Sequence, residues 1–509
     1  MKKHYSRIFA ALMAVGLLAS CEGGNQSASV GEKPTLKILM NNITADPNTY
    51  PVAKMLEEKT GYKVQYDLLP SDNVEEKLNL ILSSQEEYDG IQILSKYREK
   101  FVDYAKQGAL TELDELAEKY GVNMKTCFTN KTWDAGRVDG KLYGIVTCSA
   151  RKTEVTESGE IIERPSGMGT MLLVRTDIMK KAGIEKIPET IDEFTDMLRA
   201  MKKLSSNSMQ SAPLTTTSDL ALPGITGAFG IECTWIESGD GTLVNQIETE
   251  GYKEYLLYLK SLYDEGLLDS ELPTNKTNNT QEKFTSGKSY VMPMAYYDAA
   301  TIMDALEKNA PDYEVEYMFP LEGANGQRGY AYGSNPLERV MVIPKSAEHP
   351  DDMMKWIDAK LDADVFRNLA IGEEGVHFEI RDGAYYPINP KFSDERALAN
   401  DFLSGIDEFN YFDYWLARVR KDERIYQKYL DSNAETVLAA AHKNPEADAP
   451  VMTASKYKTT LDTIVNDFAL GVITGADSID NYDSFLAKWK ANGGEEWENE
   501  LNEWYTKTN

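Results

Sequence analysis

Three places in this sequence set aromatic rings beside planar polar groups. Tyr296, Tyr297 and Asp298 end a strand-like run. Tyr411, Tyr414 and Trp415 sit with Asp407, Glu408 and Asp413. Trp235 follows a Gly-containing stretch, 230–234, that reads as neither helix nor strand. Aromatic faces stack on the CH faces of flat amphipathic ligands, and carboxylates, amides and guanidinium groups take hydroxyls. A cleft for sugars needs both kinds interleaved. Each cluster also has a plainer reading. Trp235 either stacks on a ligand or plugs a loop onto a core. Neighbours on a strand point opposite ways, so one of Tyr296 and Tyr297 faces a cleft and the other a core. Trp415 with Val419 also fits a packed helix. Arg175 and Arg339 flank strands and are either ligand clamps or structural ion pairs. Trp133 is open between core and ligand, while Trp356, Trp489, Trp497 and Trp504 fall on helical patterns and read as core.

Catalysis is poorly served. The four histidines are His4, His349 before a proline in a loop, His442 in a Lys-containing stretch that reads as an exposed helix, and His377, with no Ser or Cys elbow near it. There is no G-x-x-x-x-G-K-[ST] loop and no G-x-G-x-x-G. Among 82 acidic residues some pair meets the ~5–10 Å spacing of a glycosidase by chance, so their number decides nothing. Cys127, Cys148 and Cys233 follow Cys21; a Cys127–Cys148 disulfide and three buried free thiols both remain open. No Cys or His sits at metal-ligand spacing. The expectation is no catalytic residue, no metal and no cofactor.

The elements that must position these residues alternate. Residues 35–40 (TLKILM) form an apolar strand, and 51–60 a helix stopped by Gly61. A strand follows at 62–69, a helix at 73–83 and a strand at 89–94. That βαβαβ order opens a doubly wound sheet, whose ligands bind off the carboxyl ends of the strands. Those ends carry Asn41-Asn42 and Ser95-Lys96. A second α/β unit starts near Met168, with a strand at 170–174 and a short helix at 177–182. Thr190-Ile191-Asp192-Glu193 then forms a capping box, followed by a core stripe of Phe194, Met197, Leu198 and Met201. Residues 339–344 (RVMVIP) are another buried strand, and from Asp401 onward the chain reads as mainly helical.

The N-terminus is an address. Lys2, Lys3 and Arg7 precede an uncharged run, 8–19, too short to span a membrane. It runs into Leu18-Ala19-Ser20-Cys21, which resembles the lipobox of bacterial lipoproteins and implies lipidation of Cys21 and cleavage before it. Residues 22–33 are rich in Gly, Ser, Asn and Gln and read as a flexible tether. Losing the leader's three positive charges takes the formal charge from −28 to −31. So acidic a surface argues against nucleic acid or anionic lipid as partners. Hydrophobic content of 42% is ample for packed cores, and the length calls for at least two domains.

Several blocks resemble the bacterial extracellular solute-binding proteins of carbohydrate ABC transporters. Asp139-Gly140-Lys141-Leu142-Tyr143-Gly144-Ile145 matches a strand of that family, with Val146 where a proline is usual. The blocks Leu173 to Asp177, Lys181-Ala182-Gly183-Ile184 and Pro188 to Phe194 follow in family order. Phe284-Thr285-Ser286-Gly287-Lys288 with Val291-Met292 comes next, and after it the family usually carries a sugar-facing aromatic. Gly372-Glu373-Glu374-Gly375-Val376-His377-Phe378 with Asp382-Gly383 resembles the long LipO/LplA-like lipoprotein subgroup.

The resemblance implies a periplasmic-binding-protein-like α/β fold. Two doubly wound lobes are joined by a multi-strand hinge, and the C-terminus is helical. Residues 1–20 are the leader and 21–34 the tether. Residues 35–145 with 339–400 form one lobe, and 150–335 with 401–509 the other. It also implies a monomer, anchored outside the cytoplasm, that captures an oligosaccharide between the lobes and delivers it to ABC permease subunits without catalysis. A peptide or other small polar ligand is the alternative within that class, and a glycan-active enzyme the alternative outside it. The ligand contacts expected are Trp235, Tyr296, Tyr297, Asp298, Asn42, Ser95, Lys96, Arg339, Glu374 and Trp415.

Overall fold

A computed structural model describes residues 33–156, 161–162, 164–204, 212–333, 337–449 and 453–508. The leader, most of the tether and Cys21 lie outside the described residues. The first strand, Leu36–Met40, is apolar because both its faces are covered: Leu36, Ile38, Leu39 and Met40 are all buried. It pairs in parallel with Val64–Leu68 on one side and Gly90–Leu94 on the other. The helix between the first two strands, Pro51–Thr60, has proline at its first turn. It ends on Gly61 at φ 71, whose N–H reaches the carbonyl of Glu57. A left-handed residue there is what glycine supplies without a steric cost.

The sheet is completed from far along the chain. Leu337–Val342 lies antiparallel against Gly90–Leu94 and also against Gly144–Cys148. Arg339 therefore pairs with Leu94, and Leu337 with Cys148, so the chain leaves and re-enters this sheet at the same end as Ser95. Gln92, 2% exposed, organises that end. Its carbonyl oxygen accepts from the Asn41 amide at 2.8 Å, and its own amide donates to the carbonyl of Asp401 at 3.1 Å.

The second sheet is smaller. Thr170–Arg175 is its centre, with Val291–Ala295 and Val315–Tyr317 antiparallel on either side. Alternation sends Leu172 and Val174 into one core with Phe194, Met197, Leu198 and Met201. Met171 and Leu173 point into another, with Phe284 and Ile302. The helix Ile191–Lys202 is capped by Thr190, whose hydroxyl accepts from the Glu193 N–H at 3.2 Å. The reciprocal half of the expected box is displaced by one residue. Glu193 accepts from the N–H of Glu189, because Thr190 is bridged to Glu322 as a short strand pair.

Phe402, Leu403, Ile406, Tyr411 and Ala417 belong to the first core. Within the helix Tyr411–Val419, Ala417 lies in the first core and Val419 in the core of Met171 and Leu173, and Trp415 packs against both. The apolar face of that helix fits either side, so the sequence pattern alone could not place it. His442 is not on a helix. It lies in the strand Ala441–Lys443, parallel to Tyr330–Tyr332.

A buried ion pair pins the edge of the second sheet, where Leu214 bridges to Val291. Lys283 Nζ donates to Asp269 at 2.6 Å and to the Asn275 carbonyl oxygen at 2.8 Å. Asp269 also accepts from Thr215 at 2.9 Å. Burial alone would raise the Asp269 pKa, but Lys283, Asn275 and Thr215 hold it below the ordinary carboxylate value. Burial alone would lower Lys283, but Asp269 and Glu271 hold it above the ordinary amine value. A carboxylate with a depressed folded pKa stabilises fully above its unfolded value, about 4, and the stabilisation is lost as pH falls through the folded one. The raised Lys283 contributes fully below about 10 and loses its contribution as pH rises further. Asp269→Asn is expected to lower the urea-unfolding free energy at pH 7 by roughly 3–5 kcal/mol, the cost of leaving a buried charge unpaired. Its deficit relative to wild type should shrink below about pH 4; a deficit unchanged down to pH 3 would contradict the assignment.

Candidate functional site

A cavity of about 880 Å³ lies between the two sets of elements. On the first-core side its wall is the turn Ser95–Tyr97 and the start of the helix Arg98–Lys106, directly off the carboxyl end of Gly90–Leu94. On the other side are Asp219, Gln246, Asn444, Glu446 and Lys458, backed by the buried aromatics Tyr252, Tyr255, Trp235 and Trp489. Polar and aromatic groups are thus interleaved around one space, as capture of an amphipathic ligand requires.

Arg98 is the least satisfied group on this wall. Its side chain is half-buried and makes no hydrogen bond or ion pair with the described residues, and its Nε is sealed from solvent without a partner. Burial pulls its pKa down to about 10, with the charge of Glu446 opposing. Across the cavity, burial pushes Glu446 above the ordinary carboxylate value, while Asn444, Lys458 and Arg98 oppose the shift. Burial also raises Glu99.

The expected site residues divide into three groups. Ser95, Lys96 and Trp235 line the cavity. Trp235, however, is only 1% exposed and packs among Trp489 and Trp497 at centroid distances of 6.4 and 6.2 Å. Its ring is enclosed by these neighbours at the back of the cavity. Tyr296, Tyr297, Asp298 and Trp415 gather at a second place. Tyr296 meets Tyr297 and Tyr429 edge-on, both at 5.5 Å, and Trp415 meets Tyr429 at 5.6 Å. Tyr296 is half-buried and Tyr297 is 62% exposed. Burial raises the Asp298 carboxyl. Asn42, Glu374 and Arg339 line neither place. Arg339 donates to the carbonyl of Asn400 at 3.0 Å and pairs with Asp401 at 3.2 Å, while its Nε is buried without a partner among the described residues. Glu374 is an exposed turn residue bridged through its backbone to Phe378, and the same turn is held by His377, whose ring accepts from the Glu373 N–H and meets Glu395 at 2.9 Å. Arg175 is likewise structural, bidentate to Asp177 at 2.7 and 2.8 Å.

Arg98 and Glu446 were missed by the sequence reading. Arg98 lies two residues beyond the strand-end pair that was chosen, at the start of the helix that follows. Glu446 follows Asn444-Pro445, a turn signal hidden by reading this stretch as helix.

Covalent chemistry finds no reactive thiol here. Cys127, Cys148 and Cys233 are unpaired and buried. Cys148 Sγ lies 3.0 Å from the Thr132 hydroxyl, and Cys127 Sγ 3.7 Å from the carbonyl of Leu361. Burial pushes all three thiols up to about 12, with nearby carboxylates adding to it. Among the described residues no group of three or more His, Cys, Asp or Glu side chains is placed to hold a metal, and no helix is long and apolar enough to cross a membrane.

This geometry agrees with the comparisons to known proteins. The chain belongs to the bacterial extracellular solute-binding protein family, whose family model matches residues 43–364. Lipoprotein LipO of Bacillus subtilis is 23% identical over 97% of this chain and 97% of its own. The polygalacturonan/rhamnogalacturonan-binding protein YtcQ of the same species is 22% identical over 94% of each chain. The S. pneumoniae ABC-transporter substrate binding protein FusA, solved with kestose, superimposes with a TM-score of 0.72. It is 18% identical, and the match covers 93% of this chain and 99% of that one. The fold class is therefore the expected periplasmic-binding-protein-like α/β arrangement.

Ellman's reagent on the native protein from Glu22 onward should find no fast-reacting thiol, and three after denaturation without reductant. Only one thiol after denaturation would reveal a Cys127–Cys148 disulfide and contradict the structure.

Proposed function

We propose that this protein captures an oligosaccharide in the cavity between its two cores and passes it, chemically unchanged, to an ABC importer. The observation that carries the reading is the cavity itself. About 880 Å³ falls in the upper part of the ~300–1,000 Å³ that ligand pockets occupy, and its walls come from both cores. A ligand touching both walls favours the arrangement in which they approach, because only there are all its contacts made. The permease is then offered a distinct loaded shape. The names of the relatives support a saccharide: one is called a polygalacturonan/rhamnogalacturonan-binding protein, and another was solved with kestose.

The aromatic group of Tyr296, Tyr297 and Trp415 extends the same reading. Exposed Tyr297 offers a stacking face without carrying core packing. Anchoring by a lipid on Cys21, outside the cytoplasm, is supported by the Leu18-Ala19-Ser20-Cys21 ending and by the likeness to a lipoprotein.

A thermal-shift screen of the chain from Glu22 onward against oligosaccharides, monosaccharides and peptides tests the reading. Binding to the folded state adds about 2.7 kcal/mol of stability at a hundredfold excess over Kd. An oligosaccharide family should raise the melting temperature and be recovered intact. Stabilisation by peptides alone would overturn the sugar, and cleavage of a glycan would overturn capture.

A further inference from the structure

Arg98 and Glu446 face the cavity from opposite walls, and among the described residues neither is in an ion pair, while the Arg98 Nε is buried without a partner. Arg98 offers up to five N–H donors and no acceptor; an ionised Glu446 offers acceptors and no donor. Among the described residues the Glu446 carboxylate has the Asn444 side chain as its hydrogen-bond partner. The group that fills the space between them must satisfy both. A carboxylate would suit Arg98 but would face Glu446 and Glu99. An ammonium would suit Glu446 but would face Arg98 and Lys96. A hydroxyl accepts from Arg98 through its oxygen and donates its proton to Glu446. Adjacent hydroxyls on one ring repeat the pattern.

From this geometry we infer that Arg98 and Glu446 are a specificity-determining pair that selects a neutral, vicinally hydroxylated sugar and rejects uronic acids. The inference rests on the reading that a saccharide occupies this cavity and names its class. The rest of the wall carries both signs of charge: Lys458 is paired there with Asp462 at 2.6 Å, and Lys96 lines it with Glu99 and Asp219. The pair also explains how one ligand group reports contact with both cores at once. The formal net charge of −28 adds to the rejection of acidic glycans.

Isothermal titration with neutral fructo-, galacto-, xylo- and manno-oligosaccharides and with oligogalacturonides tests it, on wild type, Arg98→Met, Glu446→Gln and the double variant. Apo melting temperatures check folding, and Glu446→Gln keeps the side-chain shape. Wild type should bind a neutral oligosaccharide and not the oligogalacturonides. Each single variant should weaken the neutral ligand by about tenfold or more, and the double variant by less than the product of the two. Glu446→Gln should also narrow the discrimination against oligogalacturonides. Preference of wild type for oligogalacturonides would overturn the inference and leave saccharide capture standing. So would single variants that fold and bind the neutral sugar as wild type does. Binding of no saccharide at all would bring down both.

Discussion

The antiparallel insertion of Leu337–Val342 between Gly90–Leu94 and Gly144–Cys148 is the constraint on which the rest of the structure depends. It builds the first core from two pieces of chain that are almost two hundred residues apart in sequence, and it fixes where the chain crosses between cores. Because Leu337 pairs with Cys148 and Arg339 with Leu94, the crossings fall at the end of the sheet where the parallel strands finish. Polar groups at that end are then forced to meet the second core. Gln92 secures the arrangement from inside by holding the Asn41 turn and the chain at Asp401 together. Arg98 reaches its place only because the strand before it is locked on both sides.

What the sequence disclosed follows from how local the determining physics was. Gly61 and Pro51 set the ends of their helix by backbone geometry alone, and both were legible. The stripe of Phe194, Met197, Leu198 and Met201 was legible because a single period decided it, and all four are buried. The partners of Thr170–Arg175 were not, since strands pairing across more than a hundred residues leave no periodic trace. The apolar face of Tyr411–Val419 is used by two cores at once, which its periodicity does not show.

Ser95 and Lys96 were legible from the rule for open sheets, and they border the cavity. Arg339 and Trp235 were attractive by residue type but are taken up internally, one by Asp401 and one by two other tryptophans. Residue type states what a side chain can do, whereas availability is decided by neighbours that arrive from elsewhere in the chain. Arg98 and Glu446 illustrate the converse. Both sit in unremarkable charged stretches, and what distinguishes them is that they line the cavity half-buried, Arg98 with an Nε that has no partner.

The central claim is capture between the two cores, and hydrogen–deuterium exchange with and without a bound saccharide addresses it most directly. Contact with both walls should slow exchange together in residues 95–99 and in residues 444–449, which lie more than three hundred positions apart in sequence. Slowing on one wall only, or at neither while the ligand stays bound, would contradict the account.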